Sequence, residues 1–369
     1  MALLFAEHFD GYVDTTTYRN AVSNVSSNAT YAASSGRWGG GSLRAASLTT
    51  GDVRLLKAVP GSNMLRVAFH FMTTCTSLST TGTRRLIGFL DTGSTRFWNI
   101  WLLTGDAAGT TSLYVTKFDD ANATASIIAS TVSNFGNLVD GLWHHVELAL
   151  KADPTTGSFK MKIDGIEQTA LTIASGDTSD AASGDVTAFD RIVLAGANSN
   201  ASGAGGGSEN WIDDVIVWDD TGTDFTGELP APHRLRPVAP TADGSSSQWT
   251  PLSGANYTNV DESALDSDTS YNSETVAGEI DYYKETTLDW TPENIIGVAV
   301  ESIGKLDTGT HSWRNKLKDS GGTARDGATK AADTTYRLTQ DFYGKNPATS
   351  AAWSKANIEA SEFGVEFVS

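Results

Sequence analysis

The segment from Leu142 to Leu171 constrains the fold more than any other part of this chain. Residues 145–151 alternate polar with apolar side chains, and residues 158–164 repeat the alternation. Asp-Pro at 153–154 and Asp-Gly at 164–165 stand where the chain would reverse. Period-two alternation between turn residues is typical of half-buried antiparallel strands with one face in water. The segment predicts three strands joined by two turns, and hence an all-β protein.

Similar short runs recur along the first 225 or so residues, with glycine-rich and polar gaps between them. They are Val53–Ala58, Met64–Met72, Arg84–Leu90, Trp98–Leu103, Ser112–Phe118, Ala125–Ser130, Phe189–Ala195 and Trp211–Trp218. Short strands at even spacing, separated by turn signals, are typical of a sandwich of two packed sheets. We therefore predict a β-sandwich for this part of the chain.

A cluster of prolines marks a change in the chain, because Pro230, Pro232, Pro237 and Pro240 lie within eleven residues. Such a density of proline favours an extended, semi-rigid connector. The sequence thus predicts a sandwich over residues 1–228, a Pro-rich linker over 229–242 and a smaller β-rich domain for docking or assembly over 243–369.

The predicted second domain contains four strand-like runs and one helix. The runs are Glu279–Leu288, Ile295–Ile303, Tyr336–Tyr343 and Gly364–Val368. The helix is predicted from Lys355 to Phe363, between Ser354 as N-cap and Gly364 as its C-terminal stop.

Composition limits the function classes. The net charge of −18 repels phosphate backbones, so no nucleic-acid partner is expected. No apolar run reaches the ~18 residues that a membrane helix needs, and no secretory signal is expected at the N-terminus. The lone Cys75 excludes an internal disulfide and a multi-cysteine metal site, and a small buried side chain is expected there.

The pair His144-His145, followed by Glu147, raises the question of a metal or acid–base site. Adjacent strand residues face opposite sides of a sheet, so the two imidazoles cannot share one ion on a regular strand. His145 and Glu147 share a face, and we interpret that face as the polar outer surface of the strand.

Asp213-Asp214, with Asp219-Asp220 and Asp224 after them, forms the richest group of carboxylates. A regular strand would split Asp213 and Asp214 between its two faces, and the spacing is not that of a calcium loop. We predict hydrogen-bonded structural aspartates, with a calcium site as the alternative.

Two further carboxylate pairs, Asp164 with Glu167 and Asp261 with Glu262, lie in a turn and a polar loop. Neither pattern suits the paired acids that flank the bond cut by a glycosidase. The sequence therefore predicts no catalytic, cofactor-binding or metal-ligating residue, and no cofactor.

Ten tryptophans are the remaining candidate binding groups, because sugars pack on flat aromatic rings. Those in or beside the strands of the first domain are expected in the core: Trp38, Trp98, Trp101, Trp143, Trp211 and Trp218. Of those in the second domain (Trp249, Trp290, Trp313 and Trp353), Trp313 is expected to be the most exposed because His311 and Arg314 stand beside it.

The run Gly141–Leu148, followed by Phe159–Gly165, resembles the laminin-G/concanavalin-A-like jelly roll. Trp211–Val217 resembles the last core strand of that family, and Phe9–Tyr12 its first. The resemblance covers about residues 1–225 and implies a fold. The residues that bind sugar or calcium in some members of that family cannot be matched to positions in this sequence.

The second region resembles a domain that follows such jelly rolls in structural proteins of tailed bacteriophages. The matching pieces are residues 240–244, 249–251, 256–262, 268–271, 353–358 and 363–365. The resemblance implies a non-enzymatic component of the phage virion, either a capsid decoration or a tail-associated protein, assembled in the host cytoplasm. Its expected partners are other virion proteins and copies of itself in a symmetric array, with no membrane insertion.

Two other functions stay open from the residues. A lectin-like receptor-binding protein would recognise host surface glycans, and a polysaccharide depolymerase would cut them. In the structural reading, the terminal run 364–369 would pair with a sheet edge of a neighbouring subunit.

Overall fold

The computed structural model describes residues 3–12, 18, 29–46, 55–73, 83–90, 97–104, 111–118, 125–130, 140–179, 188–197, 209–222, 227–229, 232–262, 264–285, 287–292 and 294–369. Cys75, Asp224 and the predicted strand start at 53–54 lie outside these ranges, as do the side chains of Trp98 and Trp101. The described part of the chain contains no helix both long and apolar enough to cross a membrane.

The chain divides into two compact units, Met1–Phe9 with Asn24–Leu235 and Asp10–Ser23 with Arg236–Ser369. We call them the first and second domains. The strands of the first domain are β1 (Leu3–Glu7), β2 (Ala29–Ala32), β3 (Ser42–Ala46), β4 (Leu55–Ser62), β5 (Met64–Thr73), β6 (Thr83–Leu90), β7 (Phe97–Thr104), β8 (Thr111–Phe118), β9 (Ala125–Ser130), β10 (His144–Lys151), β11 (Gly157–Ile163), β12 (Ile166–Glu167), β13 (Ile173–Gly176), β14 (Phe189–Ala197) and β15 (Glu209–Trp218).

These strands form two antiparallel sheets. Sheet A has the order β12-β11-β10-β5-β15-β3-β2, with β1 also on β15 and β13 on β11. Sheet B has the order β4-β14-β6-β7-β8-β9. The predicted concanavalin-A-like β-sandwich is confirmed, together with a smaller β-rich C-terminal domain that has one short helix.

The two faces of sheet A follow from the alternation in the sequence. In the register of β5 and β10, Val146 lies opposite Phe69 and Leu148 opposite Val67, and all four side chains are buried in the core. The intervening positions, on the other face of the sheet, carry His70 and Arg66 on β5 and His145 and Glu147 on β10, together with two alanines. Burial of the apolar face fixes the register, because a slip by one residue would turn it outward.

The second domain has its own sheets and core. Its strands are β16 (Ala242–Ser247), β17 (Thr250–Pro251), β18 (Asn272–Ser273), β19 (Ile280–Lys284), β20 (Val298–Gly304), β21 (Ser312–Lys318), β22 (Ala324–Asp326), β23 (Lys330–Ala331), β24 (Arg337–Tyr343) and β25 (Glu362–Phe367). The largest sheet, sheet C, has the order β16-β19-β25-β21-β22, and β23 also pairs with β21. The buried core residues are Leu288, Val300, Leu317, Trp353 and Ile358.

The helix, α1, is shorter than predicted and spans Lys355–Glu359. Ser354 is its N-cap as expected, and its hydroxyl accepts from the backbone of Asn357 in a capping box. Gly364 is not the helix stop but lies within β25, which begins at Glu362. A side chain at this position would meet the backbone oxygen of Asp281 at 2.0 Å, so the close strand approach requires glycine.

Candidate functional site

The polar face of sheet A carries a row of titratable residues across three strands. His145 on β10 lies opposite His70 on β5, and His70 lies opposite Asp213 on β15. Glu147 lies on the same face as His145. The register brings these side chains from distant parts of the sequence into one layer behind the hydrophobic core.

A β-bulge in β15 turns two aspartates toward one loop. The register between β15 and β5 shifts between Asp213 and Ile216, and Asp214 has a φ of 51°, in the left-handed region that aspartate tolerates. The Arg37 backbone N–H donates to Asp213 Oδ2 over 2.7 Å, and Trp38 Nε1 donates to Asp214 Oδ2 over 3.0 Å. The prediction that a regular strand splits the two aspartates is wrong, because the bulge breaks the alternation.

The loop that presents Trp38 is closed by glycine. Gly36 N–H donates to the carbonyl of Gly40 over 2.8 Å, and Gly39 has a φ of 92°. A side chain on Gly41 would meet the carbonyl of Phe9 at 2.2 Å. This tight loop leaves the ring of Trp38 in solvent.

Residues 228–229 and 232–235, which we call the connector, cover the polar face of sheet A. The backbone N–H of Leu229 donates to Glu147 Oε1 over 2.9 Å, and that of Leu235 donates to Asp214 Oδ1 over 2.9 Å. His145 is only 3% exposed under this cover. The interpretation of His145 and Glu147 as an outer strand surface is right about the face and wrong about its exposure.

His233 of the connector completes a group of three imidazoles with His70 and His145, which we call the histidine cluster. Their ring centroids lie 5.1 to 5.4 Å apart in every pair. Burial, followed by the charge of neighbouring histidines, lowers the pKa of His145 to about 3 and that of His233 to about 4. Burial also lowers the pKa of His70. All three imidazoles are therefore neutral at pH 7.

Hydrogen bonds define where the protons of the histidine cluster lie. The carbonyl oxygen of Asp214 can only accept, so His233 Nε2 donates to it over 2.6 Å. His233 Nδ1 then accepts from His145 Nε2, 3.0 Å away. His145 Nδ1 is a buried lone pair that finds no partner within the described ranges. His70 Nδ1 faces Asp214 Oδ2 at 3.4 Å, and its Nε2 contacts the Arg37 guanidinium.

His144, the neighbour of His145, has the opposite chemistry. Its Nδ1 lies 2.7 Å from Asp164 Oδ2 and its Nε2 3.1 Å from Asp140 Oδ1. Burial opposes a positive charge there, but the hydrogen bonds to the two carboxylates raise the pKa of His144. Adjacent histidines thus lie in different environments, as the alternation of a strand predicts.

The exposed aromatic residue of this region is Trp38, which is 48% exposed. Trp313, predicted to be exposed, is only 7% exposed, and its indole N–H lies near Ser302 Oγ at 3.2 Å. The prediction of a core position for Trp38 is wrong, because its loop projects the ring from the sheet edge. Trp211 and Trp218 are buried as expected.

The other predicted carboxylate pairs do not converge on a site. Asp164 pairs with His144, and Glu167 pairs with Lys160 at 3.0 Å. Glu262 accepts from the hydroxyl of Ser270. The described residues contain no group of three or more histidine, cysteine or acidic side chains arranged to hold a metal ion.

Sequence reasoning did not assign a role to Arg37, His70, His233 or Arg234. A histidine within the apolar run of β5 and a tryptophan between glycines at 36–41 are the signals that could have directed attention there. The connector residues carry no such local signal, because their contacts depend on the tertiary fold.

No protein-family profile matches the chain, and no curated protein matches it. Several solved structures are similar to the chain at low identity. Alginate lyase Aly36B is 12% identical with a TM-score of 0.42, covering 58% of this chain and 97% of its own. β-Agarase A from Zobellia galactanivorans is 12% identical with a TM-score of 0.39, covering 58% of this chain and 89% of its own. An endo-1,3-β-glucanase from Streptomyces sioyaensis is 15% identical with a TM-score of 0.38, covering 59% of this chain and 96% of its own.

These matches correct two expectations. The resemblance to phage proteins implied a structural virion component, and the absence of a catalytic motif implied a non-enzymatic protein. Both are contradicted, because the solved structures that the chain resembles are carbohydrate-active enzymes with jelly-roll folds. The jelly-roll part of the resemblance agrees with them, and the phage part finds no support.

Proposed function

We propose that this chain is a polysaccharide-directed protein whose first domain binds a sugar chain at the exposed ring of Trp38. The observation that carries the proposal is a solvent-exposed tryptophan held in place by a buried carboxylate. Trp38 Nε1 donates to Asp214 Oδ2 over 3.0 Å, and Asp214 is only 1% exposed. A ring fixed before binding loses little conformational freedom when a ligand arrives.

The surroundings of Trp38 suit a sugar. The apolar face of a pyranose packs on an aromatic surface, while a few fixed polar groups orient its hydroxyls. The guanidinium groups of Arg37 and Arg234 lie over the ring, 4.5 and 4.4 Å from its centroid, and can donate to sugar hydroxyls at the exposed part of the indole. Of the tryptophan side chains that the structure describes, Trp38 is the one that is exposed, so the domain presents a distinct aromatic surface here.

The experiment measures the affinity of the full chain for a panel of polysaccharides: polygalacturonate, agarose and a β-1,3-glucan. We expect at least one to bind, and Trp38→Ala to weaken that binding about tenfold or more. Ile166→Ala is the matched control, because Ile166 is an apolar side chain that is 71% exposed on β12 of the same domain. The same incubations are analysed for new chain ends, which separates processing of the polysaccharide from binding alone.

Two results would contradict the proposal. One is the absence of binding to every member of the panel. The other is binding that Trp38→Ala leaves as strong as in the unmodified chain.

A further inference from the structure

Two guanidinium groups lie beside the ring of Trp38. The central carbon of Arg37 is 4.5 Å from the ring centroid, and that of Arg234 is 4.4 Å away. Each cation is attracted to the aromatic face, but the two like charges repel each other. Burial lowers the pKa of Arg37, and the charge of Arg234 lowers it further, against the opposite effect of Asp214. An anion bound next to both guanidinium groups would remove this repulsion.

The two arginines differ in how their charge is balanced. The Arg37 guanidinium contacts His70 and lies in the field of Asp213 and Asp214. The side chain of Arg234 is exposed, and across the described residues no acceptor lies within hydrogen-bonding distance of its guanidinium. The chain as a whole is acidic, with a net charge of −18, whereas this part of its surface carries a positive charge without an ion-pair partner among the described residues. It is suited to pair with an anion from outside the protein.

The position of Arg234 depends on its neighbours in the connector. His233 donates to the carbonyl of Asp214 and accepts from His145, and Leu235 N–H donates to the Asp214 carboxylate. Residues on both sides of Arg234 are thus fixed to the bulge of β15. The same carboxylate holds Trp38, so ring and guanidinium share one anchor.

We infer that the Trp38 site takes an acidic polysaccharide, in which a carboxylate or sulfate group pairs with Arg234 while the sugar ring contacts Trp38. This rests on the proposed function and names its ligand class. Arg234 determines specificity for the charged group. His233 is a positioning residue that acts through the connector.

The test compares polygalacturonate with its fully methyl-esterified form, which has the same sugar chain without the negative charge. The full chain should bind the acid at least tenfold more tightly than the ester, and added salt should reduce this preference. Carrageenan, a sulfated galactan, is compared with unsulfated agarose in the same way, so that sulfate and carboxylate recognition are told apart. A preference within either pair supports the inference.

Arg234→Gln should weaken binding of the preferred acidic polymer roughly tenfold and that of its neutral counterpart much less, because the glutamine amide can still donate to a sugar hydroxyl but carries no charge. Arg236→Gln is the matched control, because Arg236 lies 5.0 Å from the ring of Trp290 but is paired with Asp289 at 2.7 Å. This control variant should bind every polymer as the unmodified chain does. Arg234 is exposed, so its substitution leaves the fold intact.

His233→Asn tests the positioning role. It should reduce the preference for the acidic polymer to the level of Arg234→Gln. In a chain that already carries Arg234→Gln it should have no further effect on that preference, because both changes remove the same contact. A simple loss of stability would instead weaken binding in both backgrounds.

Equal affinity for the acidic and neutral member of both pairs overturns the inference and leaves the proposed function standing. A preference for the acidic polymer that is unchanged in Arg234→Gln also overturns it, because another residue would then recognise the negative charge of the polymer. Failure to bind any of the four polymers overturns the inference, and it overturns the proposed function as well if the β-1,3-glucan is not bound either.

Discussion

The two domains contain polar clusters of opposite chemistry, one buried and the other partly exposed. In the first domain the histidine cluster consists of neutral rings, with a lone pair on His145 that has no described partner. In the second domain Arg314, Lys316, Asp326 and Glu366 form a group of paired charges, which we call the ion cluster. Arg314 binds Glu366 through two hydrogen bonds of 2.8 and 3.0 Å. Burial keeps the histidine cluster neutral, whereas ion pairing keeps the residues of the ion cluster charged.

This difference determines how each cluster responds to its surroundings. Burial without an opposite charge disfavours protonation of the histidine cluster. When the pH falls, the unfolded chain therefore binds protons more readily than the folded first domain, and that domain loses stability. Paired charges are favoured by each other, so the ion cluster is insensitive to mild acid but sensitive to loss of one partner. The histidine cluster also anchors the connector, so its state affects the Trp38 site, whereas the ion cluster fixes strands of sheet C.

The largest effect is expected from Asp214→Ala, which removes the acceptor for Trp38 Nε1 and for Leu235 N–H and the carboxylate that His70 Nδ1 faces at 3.4 Å. Alanine also tolerates the left-handed backbone poorly. We expect the free energy of unfolding of the first domain to fall by about 4 kcal/mol. Asp220→Ala, in an exposed pair with Arg66 beyond the end of β15, should cost less than about 0.5 kcal/mol. Urea unfolding with hydrogen exchange by region measures both, and equal effects of the two substitutions would show that Asp214 is no anchor.

A fall in pH should weaken the first domain before the second. The pKa values of His145 and His233 lie below the ordinary 6.5, so the unfolded chain takes up protons first and stability falls as pH drops below 6.5. His144, whose pKa is raised, acts in the opposite sense and offsets part of the loss. The pKa of Glu366 is lowered from 4.5, because its ion pairs outweigh its burial, so the ion cluster loses stability only below about that pH.

Between pH 6.5 and 4.5 we therefore expect the first domain to lose about 3 kcal/mol, with little change in the second. Hydrogen exchange of the full chain, followed separately in peptides from the two domains, measures the difference. If both domains weaken together above pH 4.5, the contrast between neutral and charged clusters does not hold.

Glu366→Gln should lower the free energy of unfolding of the second domain by about 2 kcal/mol, because the half-buried Arg314 and buried Lys316 lose a charged partner. Asp268→Asn, in an exposed pair with Lys305, is the control and should change it by less than about 0.5 kcal/mol. Chemical unfolding measures the pair of variants. An effect of Glu366→Gln no larger than that of the control would mean that the ion cluster adds no stability.

The smallest effect concerns salt. Raising the salt concentration to about 1 M should weaken the second domain by less than about 1 kcal/mol, since the rim of the ion cluster is partly screened. The histidine cluster carries no charge at pH 7, so it should add nothing to the salt dependence of the first domain, and the exposed ion pairs of that domain should add less than the ion cluster adds to the second. Thermal unfolding at low and high salt checks this, and a loss in the first domain larger than that in the second would reverse the comparison.

The sequence predicts strands well where side chains alternate in hydrophobicity and fails where charge replaces apolar residues. The hairpin of β10 and β11 is evident because Val146 and Leu148 recur with period two. Strand β21 was not predicted, because Arg314 and Lys316 occupy one of its faces and make the segment resemble a polar loop. That face is stable in a strand only because Glu366 on the neighbouring strand neutralises it.

The candidate site was less accessible from the sequence than the fold. Its aspartates converge because of a β-bulge, and no local sequence pattern predicts that bulge. Its histidines are far apart in the chain: His145 and His233 are separated by 88 positions. The alternation in β10 predicts that its polar face is exposed to solvent, but the connector covers this face in the folded domain. Only two of its residues had a local signal: Trp38, between glycines, and His70, within an apolar run.

The most direct test of the central claim follows the indole N–H resonances of isotope-labelled tryptophan while polygalacturonate, agarose or the β-1,3-glucan is added. Trp38 is assigned by Trp38→Phe, and the buried Trp218 and Trp353 serve as internal references. With a bound polysaccharide, the signal of Trp38 should shift or broaden, while those of Trp218 and Trp353 stay in place. Binding that moves the signals of other tryptophans and leaves Trp38 unchanged would contradict the claim that the sugar chain lies on this ring.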